Sequence, residues 1–299
     1  MPTLEALRVA AATPDHGIMP GVPDAVYRKW AFASRSQLES MRRSAAHFWH
    51  DLNNPREATD ELTFGAAFHT LILEPTQWDK RVVIVPEDAP EKRSKADKEW
   101  WAVFNQNNID KLIIDREEYE QMTAMRDAIK WHKTAWLLLA GVPAAGSATV
   151  AHSELTVVWP HPAGVTCKSR LDRYVRSMGD VTITDLKSCR NAHPAVFSKD
   201  AEGYGYFREM GFYRQAISIM EGIPEEDIRC HIVAVEKDPP HGVIFYDMPH
   251  EDLCIGRDQM AEAVARFAAC LESGEFPGYP QELKTLTLPA WAKKGQSDE

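Results

Sequence analysis

The sequence predicts a mixed α/β fold, one central sheet flanked by helices. Three observations carry this expectation. First, three β-rich runs, Glu154–Trp159, Thr166–Val175 and Val181–Lys187, are separated by a Pro/Gly turn and a Ser-Met-Gly-Asp turn, the spacing of an antiparallel meander. Second, an amphipathic stretch over Tyr204–Glu221 follows, then two more β-rich runs, Arg229–Val235 and Val243–Tyr246. Third, His250–Glu272 places Met260, Val264, Phe267 and Leu271 at helical spacing. Helix, meander, helix, two strands and helix stack as a sheet covered on its faces.

The earlier elements follow in order. Residues 1–29 are rich in proline and alanine and read as an extended N-terminal arm. Ser34 or Ser36 N-caps a helix through His50, with Leu38, Met41, Ala45 and Phe48 as its apolar stripe. A second helix runs from Thr63 to Leu73, ends at Glu74-Pro75, and carries His69 behind the small residues Gly65, Ala66 and Ala67. Arg81–Val85 is a short strand, 86–98 a charged loop, and Asp97–Asn107 and Glu117–Leu139 are helices. Residues 141–146 break the chain before the meander, and 188–194 form a loop after it.

Composition narrows the function. A net charge of −10 argues against a general nucleic-acid coating protein, whose surface is broadly basic. Five scattered cysteines without a Cys-x-x-Cys fit neither a disulfide framework, a zinc knuckle nor an iron–sulfur centre. No apolar run approaches bilayer length and no secretory signal is evident, so no membrane association and a cytoplasmic location are expected.

The chemistry concentrates on the meander. Each run carries an acid, Glu154, Asp172 and Asp185, and Lys187 stands two places after Asp185, on the same strand face. Carboxylates and an ammonium on one sheet face cost much desolvation unless paired or bound to a cation. A hard divalent ion between the acids resolves the conflict, with the lysine orienting its water. An isolated Asp-x-Lys is more often a surface ion pair on an edge strand; the flanking acids distinguish this case. Lys168, Arg170, Arg173 and Arg176 give local positive charge among the same strands.

Asp172 with Asp185-Leu186-Lys187, the histidine helix Gly65–Pro75, the segment Tyr213-Arg214-Gln215 and the helix Ser36–Phe48 together resemble the PD-(D/E)xK nuclease superfamily. Within it the ordered set is similar to the exodeoxyribonuclease VIII (RecE-type) exonucleases of phages and prophages, over roughly residues 30–275. The resemblance implies a restriction-endonuclease-like core in a single domain over 30–275. Residues 30–150 would be a helical elaboration, 151–275 the catalytic core and 276–299 a C-terminal tail. It implies that Asp172 and Asp185 hold Mg²⁺ with the Leu186 carbonyl, supported by Glu154 and His69, and that Mn²⁺ substitutes. Lys187 would position the attacking water and Gln215 would orient a lysine, water or phosphate. Arg170, Arg173, Tyr213 and Arg214 would contact DNA. The family's tyrosine four residues after the glutamine is Ile219 here, which leaves Tyr213 as its substitute.

The implied activity is 5′-to-3′ digestion of linear double-stranded DNA in a bacterial cytoplasm, leaving 3′ strands for a single-strand annealing protein. The implied assembly is a homo-oligomeric ring, a tetramer in the favoured case. The alternatives are an endonuclease or 3′-end trimmer of the same superfamily, and a non-catalytic DNA-end-binding subunit of a recombination complex.

Overall fold

Long strands with side chains buried on both faces set the architecture. The structure, a computed structural model, describes residues 3–13, 15–55, 59–141, 143 and 147–288. Parts of the expected break at 141–146 and of the tail, residues 142, 144–146 and 289–299, lie outside the described residues.

The N-terminal segment is not an extended arm. It contains α1 (Leu4–Ala11), β1 (Gly17–Met19) and α2 (Asp24–Lys29). Leu7 is buried, Arg8 donates to the carbonyl of Leu271 at 2.6 Å, and β1 pairs antiparallel with Thr156–Val158. The prolines misled because Pro20 and Pro23 sit in turns between short elements, Pro23 as the N-cap of α2.

After β2 (Ala33–Ser34) come α3 (Arg35–Arg43) and α4 (Ala45–Asn53), where one helix was expected. Ser44, fully extended at φ −170°, separates them and accepts from the His47 N–H as the second N-cap. Next, α5 (Asp60–Leu73) starts one turn before Thr63 because Thr59 caps it. The chain continues through α6 (Trp78–Arg81), β3 (Val82–Ile84), α7 (Lys95–Asn107) and β4 (Leu112–Ile114), and β3 and β4 form a separate parallel pair. The long helix expected over Glu117–Leu139 is two, α8 (Arg116–Trp131) and α9 (Lys133–Ala140), broken at His132, whose ring accepts from the Ala135 N–H.

The meander is β5 (Val150–His161), β6 (Val165–Ser177) and β7 (Asp180–Cys189). The stretch before Tyr204 is helical as well: α10 (Pro194–Tyr204) precedes α11 (Tyr206–Glu221). Gly205 joins the two at φ +77°, a left-handed conformation that favours glycine, and a Cβ there would press on the guanidinium groups of Arg35 and Arg208. The chain closes with β8 (Ile228–Glu236), β9 (Val243–Asp247) and α12 (His250–Ser273).

The strand order is β1-β5-β6-β7-β8-β9, with β2 attached to β6. β7 and β8 run parallel, so α10 and α11 form the crossover between them; the other neighbours on that path are antiparallel. The result is the expected mixed sheet flanked by helices. On β8, Ile232 and Ala234 face one core with Trp159, Phe212 and Phe267, while Val233 and Val235 face another with Phe68, Met125 and Ile129. Among the described residues no helix is long and apolar enough to cross a membrane.

One irregularity positions the site. The β6–β7 ladder runs from Ser177↔Asp180 to Arg173↔Thr184 and stops. Beyond it, β6 pairs through Cys167 and Lys168 with β2, while β7 continues along β8 to Glu236. The sheet forks between Asp172 and Asp185.

Candidate metal and catalytic site

A fork in a sheet leaves backbone polar groups without ladder partners, and burial makes each one costly unless it is satisfied. Here side chains replace the ladder. The Leu186 N–H donates to Asp172 Oδ2 at 2.8 Å. The Leu186 carbonyl accepts from His69 Nε2 at 2.9 Å, reached from α5. A carbonyl only accepts, so the proton of a neutral His69 ring lies on Nε2 and its Nδ1 lone pair faces the acids. Nδ1 stands 3.5 Å from Asp172 Oδ1 and 3.9 Å from Glu154 Oε1.

Glu154 reaches this cluster from the neighbouring strand by a backbone contortion. Its φ is +51°, a conformation that side chains other than glycine rarely adopt. Such strain persists only where surrounding contacts enforce it, and it gathers at functional sites. The contact here is Arg170, whose Nε donates to Glu154 Oε2 at 2.6 Å and whose Nη1 donates to the Val22 carbonyl at 3.1 Å.

Lys187 and Asp185 share a face, as alternation along β7 predicts. Lys187 Nζ lies 2.7 Å from Asp185 Oδ2 and 3.1 Å from Glu209 Oε2 of α11. The Tyr213 hydroxyl donates to Glu209 Oε1 at 3.2 Å, one helical turn away on the same face.

The electrostatics follow from crowding. Burial pushes Asp172 up to about 7; Lys187 opposes this and Glu154 reinforces it. Burial and the nearby Asp172 raise Asp185 well above the usual carboxylate range. Burial alone would lower Lys187, but Asp185, Glu209 and Asp172 override it and hold the amine protonated. Burial would raise Glu209, yet Lys187 and Arg35 keep it low. Four carboxylates, Glu154, Asp172, Asp185 and Glu209, thus meet two fixed cations, Arg170 and Lys187. A divalent ion would relieve the crowding that raises Asp172 and Asp185.

The donor set fits such an ion. Ligand atoms of His69, Glu154 and Asp172 lie within 4.8 Å of one another. Asp185 lies beside this set, tied to Lys187.

The expected site residues therefore divide. His69, Glu154, Asp172, Asp185, Leu186 and Lys187 converge. Arg170 is not free for DNA, because its guanidinium holds Glu154 and is 10% exposed. Arg173 is not a surface contact: its Nη1 donates to Ser153 Oγ at 3.0 Å and its Nη2 to the Gly141 carbonyl. Arg214, at 1% exposure, is locked by Glu225 at 3.0 Å and by His250 and Cys254. Tyr213 is buried and orients Glu209 instead of facing solvent. Among the described residues no hydrogen bond joins Gln215 to the site, and its buried Oε1 has no hydrogen-bond partner. The residue that reaches Lys187 from this helix is Glu209, which sequence reasoning missed. The signal available was its position four residues before Tyr213.

Over residues 34–288 the sequence matches the PDDEXK-like domain of unknown function (DUF3799). No curated protein matches it. A solved structure from Eubacterium rectale described as a "Putative exonuclease" is similar in fold, with 13% identity, a TM-score of 0.58, and coverage of 90% of this chain and 95% of that one. A second, SSO0001, is 9% identical over 70% of this chain and 86% of that one, at a TM-score of 0.29.

Proposed function

This chain belongs to the family of PDDEXK-like domains of unknown function DUF3799, and on that premise we propose that it is a metal-dependent deoxyribonuclease. The observation that carries the reading is the fork, where His69, Glu154 and Asp172 gather beside the Asp185–Lys187 pair. Asp172, His69, Glu154 and the Leu186 carbonyl would hold Mg²⁺, with Asp185 beside them; Mn²⁺ suits the same oxygen and imidazole ligands. When bound, the ion supplies charge stabilisation to the phosphate and acidifies a water.

The chain's own residues do the rest. Lys187 has three N–H donors, and Asp185 and Glu209 engage two. The third is available to a water or a phosphate oxygen. Because the surrounding carboxylates keep the amine protonated, its role is to donate and orient, not to abstract a proton. Arg170 fixes Glu154 against its strained backbone, and His69 holds the Leu186 carbonyl in line.

The finer reading is an exonuclease that digests linear double-stranded DNA from 5′ to 3′, leaving 3′ strands for annealing, within a ring-shaped homo-oligomer. Its support is the resemblance of the ordered motif set. The single domain expected over 30–275 also takes in α1 and β1, since Leu7 joins the core and Gly17–Met19 the sheet, and it carries the catalytic fork in its second half. The test is incubation with 5′-phosphorylated linear, nicked and closed circular duplexes, in Mg²⁺ or EDTA. Loss of linear DNA alone, in Mg²⁺ alone, is expected. Cutting of the closed circle would make it an endonuclease. Lys187→Ala should lower the rate about 10²–10³-fold, the usual effect of deleting one electrostatic donor. Wild-type rates in that variant would end the assignment.

A further inference from the structure

Tyr204 is a large aromatic ring left 65% exposed at the junction of α10 and α11, beside the catalytic fork. Its surroundings are ordered inward. It stacks on Tyr206, with centroids 5.9 Å apart and planes at 28°. Tyr206 in turn sits over Lys187, whose Nζ lies 4.8 Å from the ring centre. Behind Tyr206 stand Phe197 at 6.0 Å and, stacked on Phe197, Tyr246 at 5.1 Å. Tyr204 is thus the solvent end of a row of aromatic rings whose second member touches the catalytic amine.

The backbone under the ring is held. Arg35, whose side chain is 13% exposed, donates to the carbonyls of both Tyr204 and Gly205. Gly205 takes a left-handed conformation, and the guanidinium groups of Arg35 and Arg208 crowd the place of a Cβ. An exposed ring fixed in this way loses little freedom when a flat partner lands on it. Flat partners beside a phosphate-cleaving site are nucleobases, and every base offers a π-face. Within a duplex both faces are stacked; at the end of a strand one is open.

We propose that Tyr204 is the stacking platform for a terminal nucleobase of the DNA, placing the strand end against Lys187. The inference rests on the nuclease reading above and deepens it, because it gives the site a reason to prefer ends.

The test uses the full chain with linear DNA made resistant by phosphorothioate linkages at its ends, in Mg²⁺. 2-Aminopurine is placed either at the terminal nucleotides or in the middle. Wild-type protein should quench the terminal probe and not the central one. Tyr204→Ala should abolish that quench and weaken binding to linear DNA about 5- to 150-fold, the range expected for losing one stacked base. Binding to a closed circle should not change, and Tyr204→Trp should restore both effects.

A Kd for linear DNA within twofold of wild type in Tyr204→Ala, with the quench intact, would overturn the proposal. So would a fall in oligomeric size by light scattering with the quench unchanged, since the ring would then face a second copy. Thermal melts of both variants check that the fold is retained. If wild-type protein hydrolyses no unmodified DNA in Mg²⁺, the nuclease reading itself fails. If it does hydrolyse DNA and Tyr204→Ala binds ends normally, only the stacking platform fails.

Discussion

Arg214→Ala separates a structural arginine from a DNA contact. Arg214 is 1% exposed, and its guanidinium bonds Glu225, His250 Nδ1 and Cys254 Sγ at 3.0–3.3 Å. Removing one partner of a buried ion pair costs about 3–5 kcal/mol, because the other charge is stranded. Glu225 retains Arg257 at 3.1 Å, and that partner is 27% exposed, which favours the lower end of the range. With an unfolding entropy of roughly 2.1 cal/mol/K per residue, 299 residues give about 0.6 kcal/mol/K, so about 3 kcal/mol lowers Tm by about 5 °C. Thermal unfolding by circular dichroism reads the shift. A titration of DNA across salt concentrations reads the second half: the slope of log K against log salt should not change. An unchanged Tm, together with a slope reduced by about 0.9, the value of one lost duplex phosphate contact, would refute the burial argument and restore Arg214 to the DNA interface.

The remaining expectations concern the fork and its supports. Asp172 has a folded pKa of about 7 against an ordinary value of 3.8, so between those values the folded state holds a proton that the unfolded chain lacks. Metal-free stability should therefore fall as pH rises from about 4 to about 7 and then level off, while the Tm gain from added Mg²⁺ grows over the same window; an equal gain at pH 5.5 and 8 would contradict this. Glu209→Ala frees Lys187 from one of its two anchors and should cut kcat by up to about 10²-fold with Mg²⁺ affinity retained, and Glu209→Gln should recover part of it, as read by steady-state kinetics and calorimetry. Gly205→Ala forces a left-handed alanine against Arg35 and should cost at least about 1–2 kcal/mol, or roughly 2–3 °C in Tm, on the same entropy scale.

The meander and the positions of Glu154, Asp172, Asp185 and Lys187 were legible because strand alternation is a local rule and charges on strands stand out against it. The helix breaks were not. Ser44, His132 and Gly205 each interrupt a continuous apolar pattern through one backbone angle, and that angle is set by what the flanking helices pack against. β2 and β4, at two and three residues, are too short to show a period. The arginines were misjudged for a related reason. Arg173 and Arg214 look like exposed charge in the sequence, but their partners, Gly141 and Glu225, belong to other elements. Glu209 was hidden the opposite way, as an ordinary polar residue on a helix whose glutamine drew attention.

The pairing of β1 with β5 has a consequence for how the protein is made. Gly17 meets Val158, so 141 residues of sequence separate the two. At about 5–20 residues per second, the ribosome needs roughly 7–28 s after Gly17 before its partner exists. The short strand must stay available throughout that wait and then settle on an edge built long after it. Nascent chains halted before residue 158 should therefore leave the first twenty or so residues open to protease, and release past the meander should close them.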